Sequence, residues 1–226
     1  MRREGRVGVI GGTFDPIHCG HVAVAREAQR ALGLDHVTLI PSRQPPHRPD
    51  VPRASGHHRR AMAALAAIDH PTWRVSTTEL ERPGPSYAFD TLTEVAREGH
   101  EPSQIFFLLG TDAFAEIATW SRYPAVLDLA HFAVISRPGT PLSSLRQRLP
   151  DLASRMIAPG DLAAAATPRV ILLELTTPDV SSTDIRARVQ SGRPIEGLVP
   201  DTVASYIDAQ HLYRIASSDP STVAGR

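Results

Sequence analysis

The fold of this chain is decided near its start, where residues 6–21 read RVGVIGGTFDPIHCGH. Residues 6–11 are predicted to form a strand, because only glycine and β-branched residues follow Arg6. Residues 21–32 carry apolar side chains at helical spacing before Gly33 ends the helix. The segment between them, residues 11–20, is called the glycine loop because it opens with two adjacent glycines, which let a ligand approach the backbone. It leads into a helix start that offers free amides to an anion. This order of strand, loop and helix predicts a βα unit that binds phosphate.

The rest of the chain continues the alternation of strands and helices. Strands are predicted at residues 36–40, 73–76, 104–109, 131–136 and 170–175. Helices are predicted at residues 57–68, 87–97, 142–149, 183–190 and 202–210, while residues 158–168 fit no single pattern. Because strands that alternate with helices form parallel sheets, we predict the α/β class, with a single doubly wound domain over residues 1–215.

Two segments fall outside this alternation. Residues 41–56 contain five prolines and no periodicity, so we predict a long surface loop of the kind that often carries function. Residues 216–226 are small and polar, and we expect them to form a flexible tail.

The charged residues exclude several kinds of function. The 24 basic and 24 acidic residues cancel, so the net charge does not indicate a protein that binds nucleic acid electrostatically. All the basic residues are arginine, and the absence of lysine excludes a P-loop lysine and a Schiff-base lysine. A phosphate site in this chain must therefore use Arg, His or backbone amides.

The single cysteine and the hydropathy pattern bear on the compartment. With Cys19 alone, an internal disulfide and a cysteine-based zinc cluster are excluded, which fits a reducing environment. No stretch approaches the roughly 20 apolar residues of a membrane span, and the N-terminus does not resemble a secretory signal. We expect a cytoplasmic protein without a membrane or nucleic-acid partner.

His18 and His21 are the first candidates for catalysis. They are three residues apart at the start of the predicted helix, so both imidazoles can face one anionic group. The alternative is that the glycines form an ordinary tight turn and the histidines cap the helix or contact one another. The glycines, the strand and the two histidines occur together where a phosphate site needs them, which favours charge stabilisation.

Residues 180–186, VSSTDIR, form a second motif far downstream. Ser181 or Ser182 can cap the helix that follows, which exposes its first amides, and Arg186 lies one turn further, where a guanidinium can reach a phosphate. Taken alone, such a sequence is more commonly a simple helix cap. Its occurrence together with the glycine loop favours a second part of the same site.

A third candidate follows the most apolar strand, where Gly110 and Asp112 flank Thr111. A carboxylate at the carboxyl end of a central strand can accept hydrogen bonds from a ribose, although Asp112 could also serve as a helix cap. Trp120 follows eight residues later, and a tryptophan of the core is the alternative to a functional one.

Residues 11–21 resemble the signature of the nucleotidyltransferase superfamily, and more closely that of the bacterial nicotinate-nucleotide adenylyltransferases. Residues 180–186 resemble the Ile-Ser-Ser-Thr-x-Ile-Arg motif of the same enzymes, and the resemblance extends over residues 7–213. It implies a Rossmann-like fold and the transfer of the adenylyl group of ATP to nicotinate mononucleotide. The products would be nicotinate adenine dinucleotide, as part of NAD biosynthesis, and pyrophosphate.

The resemblance also implies which residues bind each substrate. Those that would bind ATP are Gly11, Gly12, Thr13, Phe14, His18, His21, Gly110, Asp112, Ser181, Ser182, Thr183 and Arg186. His18, His21 and Arg186 of this set would be catalytic. Those that would bind the mononucleotide, with Trp120 stacked on the nicotinate ring, are Arg48, Tyr87, Ala88, Thr91, Trp120 and Arg137. Two of these depart from the family, because Arg48 replaces a lysine and Ala88 replaces a usual threonine.

The implied chemistry needs no covalent nucleophile, because the phosphate of the mononucleotide is already ionised at neutral pH. Mg²⁺ is expected to arrive with ATP, without a dedicated set of protein ligands. Three alternatives stay open: an enzyme that prefers nicotinamide mononucleotide, a pantetheine-phosphate adenylyltransferase, and a nucleotide-binding module without catalysis. Whether the chain forms a homo-oligomer is also left open.

Overall fold

The computed structural model describes residues 5–46, 51–136 and 142–214. Over these residues the chain forms a seven-stranded sheet. The strands are β1 (Val7–Gly12), β2 (His36–Pro41), β3 (Trp73–Val75), β4 (Ile105–Gly110), β5 (His131–Ile135), β6 (Met156–Ile157) and β7 (Val170–Leu173). Their order in the sheet is β3-β2-β1-β4-β5-β7-β6, and every pair of neighbouring strands is parallel. The prediction of an α/β protein with a doubly wound, Rossmann-like sheet is confirmed.

Helices connect the strands and cover both faces of the sheet. The described helices are α1 (Cys19–Leu32), α2 (Gly56–Ala66), α3 (Thr78–Glu81), α4 (Ala88–Arg97), α5 (Thr111–Ala115), α6 (Ser143–Arg148), α7 (Ser182–Gln190) and α8 (Asp201–Ala209). Short 3₁₀ turns lie at Pro102–Gln104, Ile117–Thr119, Ala125–Asp128, Pro150–Arg155 and Pro159–Ala164. No helix among these described residues is both long and apolar enough to cross a membrane.

The sequence of β4 shows why the sheet is buried on both sides. Successive side chains of a strand point to opposite faces, so Phe106 and Leu108 join the hydrophobic cluster on one face while Ile105, Phe107 and Leu109 join the cluster on the other. All five are buried. A strand that must be apolar on both faces reads as a continuous apolar run, as this one does.

Some boundaries differ from the sequence prediction. The first helix begins at Cys19 rather than at residue 21, which makes His18 its N-cap and places His21 in its first turn. The last strand ends at Leu173 rather than at residue 175, and the unassigned stretch 158–168 contains a 3₁₀ turn. The short elements β6, α3 and α5 were not predicted because they are too short to show a periodicity. The predicted tail, residues 216–226, lies outside the described residues.

The topology defines where a ligand can bind. From β1 the chain moves outward to β2 and β3, and it then returns to the other side of β1 to form β4. Connections that leave two neighbouring central strands in opposite directions open a crevice at their carboxyl ends, and this is where α/β proteins bind ligands. In this chain the glycine loop follows β1 and the segment Gly110 to Asp112 follows β4, so both motifs border that crevice.

Candidate active site

A cavity of about 430 Å³ occupies the carboxyl ends of β1 and β4. Its walls include most of the residues that the sequence assigned to the two substrates. From the ATP set these are Gly11, Gly12, Thr13, Phe14, His18, His21, Gly110, Ser181, Ser182 and Thr183, and from the mononucleotide set they are Tyr87, Ala88 and Trp120. The fold therefore brings together the glycine loop, Gly110 and residues 181–183, which are separated by about 70 to 90 positions in the sequence.

His18 and His21 lie against one another at the start of α1. Their ring centroids are 3.7 Å apart, and the backbone N–H of His18 donates to Nδ1 of His21 at 3.3 Å. A Cβ at position 20 would lie 3.0 Å from Nδ1 of His18 and 3.3 Å from the carbonyl oxygen of Pro178, so glycine leaves room for the buried His18 ring. The histidines cap the helix and also line the cavity, and their role in stabilising charge stays a prediction.

The second motif docks directly on the first. Ser181 caps α7 by accepting a hydrogen bond from the backbone N–H of Asp184 at 3.1 Å. The hydroxyl of Ser182 donates to the carbonyl oxygen of Pro16 in the glycine loop at 2.9 Å. The first turn of α7 is thereby fixed beside the start of α1, and both helices direct their N-terminal ends at the same cavity.

Arg186 lies close to this site, but its guanidinium is directed at the glycine loop and does not line the cavity. Its Nη1 donates to the carbonyl oxygen of Asp15 at 2.7 Å, and its Nη2 donates to Oγ1 of Thr183 at 3.2 Å. In this arrangement Arg186 positions the loop that surrounds the cavity.

The sequence analysis did not identify three residues that hold the glycine loop. Asp15 is buried, and its carboxylate accepts hydrogen bonds from the backbone N–H groups of Arg53 (2.7 Å) and Ala54 (3.0 Å) and from the Tyr213 hydroxyl (2.9 Å). Arg59, only 2% exposed, donates to the carbonyl oxygens of Thr13 (2.7 Å) and Ser42 (2.6 Å).

Burial changes the titration of two of these groups. It lowers the pKa of the Arg59 guanidinium, and the carboxylate of Asp15 opposes that effect. It raises the pKa of the Tyr213 hydroxyl far above its ordinary value, and Asp15 raises it further, so the hydroxyl stays protonated and donates to Asp15.

The half of the cavity wall at which the sequence predicts the mononucleotide is formed by the loop before α4 and by Trp120. Tyr87 is the N-cap of α4 and Ala88 its first residue, so the unbonded amides of the first helical turn adjoin the cavity. Trp120 is partly exposed, and its ring meets Phe107 edge to face at 6.0 Å. Its indole therefore belongs to the core on one side and to the cavity on the other.

Thr91 lies behind the wall of this half rather than in it. It is 1% exposed, and its hydroxyl donates to Oε1 of Glu79 at 2.7 Å and accepts from Nη2 of Arg82 at 2.9 Å. Glu79 itself does line the cavity. Burial raises the pKa of the Glu79 carboxyl, and hydrogen bonds from the hydroxyls of Thr91 and Ser86 oppose this rise.

The remaining predicted residues lie elsewhere. Asp112 is exposed in the first turn of α5 and does not line the cavity, although its neighbour Gly110 does. The hydroxyl of Thr111, between them, is buried and has no hydrogen-bond partner among the described residues. Arg48 and Arg137 lie outside the described residues.

The arrangement is suited to a polyanion. Two helix N-termini, the glycine loop and two imidazoles converge on one end of the cavity, and each of these groups can donate hydrogen bonds to phosphate oxygens. An indole and the start of a third helix form the other end, which suits an aromatic ring that carries an anionic group.

Comparison with known proteins shows which family this chain resembles. The cytidylyltransferase-like family model matches residues 9–188. A relative from Roseiflexus sp. (strain RS-1), named "Probable nicotinate-nucleotide adenylyltransferase", is 43% identical over 208 residues, which cover 92% of this chain and 98% of the relative. A relative of the same name from Pseudomonas aeruginosa (strain UCBPP-PA14) is 40% identical over 212 residues, which cover 92% and 97%.

The fold also matches a solved structure, that of the Plasmodium falciparum nicotinic acid mononucleotide adenylyltransferase complexed with NaAD. The two share a TM-score of 0.69 and 18% sequence identity, over 93% of this chain and 98% of that chain. At this identity the match shows a common fold.

Proposed function

The chain belongs to the cytidylyltransferase-like family and, within it, to the nicotinate-nucleotide adenylyltransferases, and we propose that it joins ATP to nicotinate mononucleotide. The products are nicotinate adenine dinucleotide and pyrophosphate, which places the reaction in NAD biosynthesis. The relatives that cover almost the whole chain carry this activity in their names, and a protein of the same fold is complexed with NaAD.

One observation carries the proposal: the contact between Ser182 and Pro16, at 2.9 Å, brings the two motifs together beside His18 and His21. A triphosphate needs several donors that converge from different directions, and the junction of two helix N-termini with a glycine loop supplies them. A simple helix cap would not place the second motif on the wall of the same cavity.

The reaction is an in-line transfer at the α-phosphorus of ATP. An oxygen of the mononucleotide phosphate forms a bond to that phosphorus while the bond to the bridging α–β oxygen breaks, and pyrophosphate leaves with the electron pair. His18, His21 and the loop amides hold the phosphates in line and stabilise the charge that develops on the leaving group.

We further propose that Mg²⁺ is bound through the triphosphate oxygens of ATP. Hard oxygen ligands suit this ion, whereas the imidazole nitrogens of His18 and His21 do not. When bound, the ion would neutralise charge on the phosphates, while His18, His21 and the loop amides align them. Because ATP is the co-substrate and Cys19 is compatible with a reducing environment, we place the reaction in the cytoplasm.

We propose nicotinate mononucleotide rather than the nicotinamide compound because the aromatic end of the cavity adjoins the first-turn amides of α4. These donors favour a carboxylate, whereas the NH₂ of a carboxamide would face other donors.

The test is pyrophosphate release by the purified protein with ATP and Mg²⁺ and, in parallel, nicotinate mononucleotide, nicotinamide mononucleotide or phosphopantetheine. We expect the highest kcat/KM with nicotinate mononucleotide and product of the mass of nicotinate adenine dinucleotide. Release with phosphopantetheine alone, or with none of the three, would overturn the proposal.

A further inference from the structure

The carbonyl groups of the glycine loop are bound from outside the loop. Each of four carbonyl oxygens accepts a hydrogen bond from a donor elsewhere in the fold. The pairs are Gly12 with Ser42 N (2.8 Å), Thr13 with Arg59 Nη1 (2.7 Å), Asp15 with Arg186 Nη1 (2.7 Å) and Pro16 with Ser182 Oγ (2.9 Å).

This arrangement determines where the amides of the loop point. In a trans peptide the N–H and C=O bonds are antiparallel, so the N–H groups of Thr13 and Phe14 point away from the donors that hold the carbonyls of Gly12 and Thr13. Neither N–H donates to another described residue, and Thr13 and Phe14 both line the cavity. Phe14 adopts a left-handed conformation with φ of 50°, which is uncommon without glycine and must be held by its surroundings.

Asp15 is placed where its charge is unfavourable for the substrates. Asp15 is buried in the loop to which the proposed function assigns the phosphates, where a carboxylate repels phosphate and also needs partners of its own. Arg186 Nη1 lies 3.9 Å from Oδ2, and the two backbone N–H groups of Arg53 and Ala54 share the carboxylate with the Tyr213 hydroxyl. Because this charge opposes phosphate binding, we assign Asp15 a structural role, in which it connects residues 53–54 and Tyr213 to the glycine loop.

Tyr213 comes from the chain that follows α8, 198 residues away from Asp15. Its backbone is also left-handed, with φ of 63°, so its position depends on side-chain contacts. Its hydroxyl bonds to Oδ1 of Asp15, the oxygen that also accepts from Ala54.

We propose that Tyr213 is a positioning residue for adenylyl transfer, which acts through Asp15 to hold the glycine loop with the amides of Thr13 and Phe14 directed at the substrate phosphates. The inference rests on the proposed function, because that function supplies the phosphates. Tyr213 does not line the cavity and therefore acts only through the loop.

The first experiment replaces Tyr213 by phenylalanine, which removes one hydroxyl and keeps the ring. Tyr206→Phe is the matched control, because its hydroxyl bonds to Nδ1 of His58 at 3.0 Å and does not contact the loop. We expect Tyr213→Phe to lower kcat about 10-fold, since misplaced phosphates react slowly, with the KM for the mononucleotide changed less than about 2-fold. Tyr206→Phe should retain the parental kcat. An unchanged kcat for Tyr213→Phe in an active parent overturns the inference, whatever the effect on melting temperature.

The second experiment tests the route through Asp15 with a double-mutant cycle. In an Asp15→Ala background, Tyr213→Phe should lower kcat by less than about 2-fold, because the acceptor of the Tyr213 hydroxyl is already absent. Two losses that simply multiply would show that Tyr213 acts by another route and overturn the inference.

A binding measurement separates this inference from the proposed function. Calorimetric titration with pyrophosphate needs no turnover, and we expect weaker binding to Tyr213→Phe than to the parent or to Tyr206→Phe. If the parent releases no pyrophosphate from any substrate, the proposed function fails, while this titration still tests the positioning of the loop. Equal pyrophosphate affinity in all three proteins would contradict the inference.

Discussion

The imidazole rings of His18 and His21 lie nearly face to face, with centroids 3.7 Å apart and planes inclined by 30°. The backbone N–H of His18 also donates to Nδ1 of His21, so the two residues are joined by a hydrogen bond as well as by the contact of their rings. They form one unit at the N-terminal end of α1, where developing negative charge is best stabilised.

This pairing leads to the first prediction. Replacement of His18 or His21 by alanine should lower kcat by a factor on the order of 100, as the loss of preorganised electrostatic stabilisation does, with a smaller effect on mononucleotide binding. The double variant should lose little more than either single variant, because residues that act as a unit are not additive. Steady-state kinetics of the three proteins provide the measurement. A His18→Ala enzyme with near-parental turnover would show that the role is wrongly assigned.

The second prediction concerns Arg186. Its guanidinium bonds both Asp15 O and Thr183 Oγ1, so Arg186→Ala should free the loop, lower kcat and raise the KM for ATP. Arg186→Lys should recover only part of the loss, because an ammonium on a flexible stem does not reproduce the planar fork.

The control for Arg186 lies on the same helix. Arg188 pairs with Asp184 at 2.7 Å in a largely exposed ion pair, so Arg188→Ala should change the kinetics little. Kinetic constants of Arg186→Ala that match those of Arg188→Ala would contradict the assignment.

The sequence predicted those parts of the site that depend on local chemistry. Residues 11–21 and 180–186 each combine a turn, a helix start and donor side chains within a few positions, so both motifs could be identified and placed at the carboxyl edge of the sheet. The Asp15–Tyr213 contact could not be found this way, because the pairing of side chains 198 residues apart depends on tertiary packing.

Two further differences between the sequence prediction and the structure also arise from tertiary packing. Thr91 was assigned to the mononucleotide site, but helical geometry turns its hydroxyl inward to Glu79, which faces the cavity instead. Arg59 carries a charge that a sequence places at the surface, and its burial is explained by the carbonyl groups of Thr13, Ser42 and Ala54, which accept its hydrogen bonds. The catalytic and binding roles of the site residues stay predictions until variants are measured.

The third prediction is a pH dependence of stability that arises from His131. This residue is 1% exposed, its ring stacks on Phe106 at 4.8 Å, and its Nδ1 accepts from the backbone N–H of Arg169 at 3.1 Å. Burial, together with the positive charges of Arg6 and Arg169, lowers its pKa from 6.5 to about 4. Between these two values the unfolded chain binds a proton that the folded protein does not, so the free energy of unfolding falls as the pH falls.

The size of this effect can be measured by urea denaturation between pH 7.5 and 4.5. A pKa lowered this far removes at most about 3 kcal/mol by the acid end of the range, with no contribution above the ordinary pKa of histidine. His131→Gln should flatten this part of the profile, whereas His57→Gln, at an exposed position, should leave it unchanged. Parallel profiles for the parent and His131→Gln would contradict the assignment.

The last prediction concerns the choice between the two pyridine mononucleotides. Ala88 is the first residue of α4 and lines the cavity, so its backbone amide can serve a carboxylate although its side chain offers no hydroxyl. Ala88→Thr should add a donor and raise the preference for nicotinate over nicotinamide mononucleotide, because a neutral carboxamide gains less from it. Trp120→Ala should raise both KM values by similar factors, since stacking on an indole does not distinguish the two rings. The measurement is the ratio of kcat/KM values for the two substrates in the parent and both variants. A parent that favours nicotinamide mononucleotide would overturn the substrate choice while leaving adenylyl transfer intact, and a ratio shifted by Trp120→Ala but not by Ala88→Thr would place the discrimination at the ring rather than at the helix start.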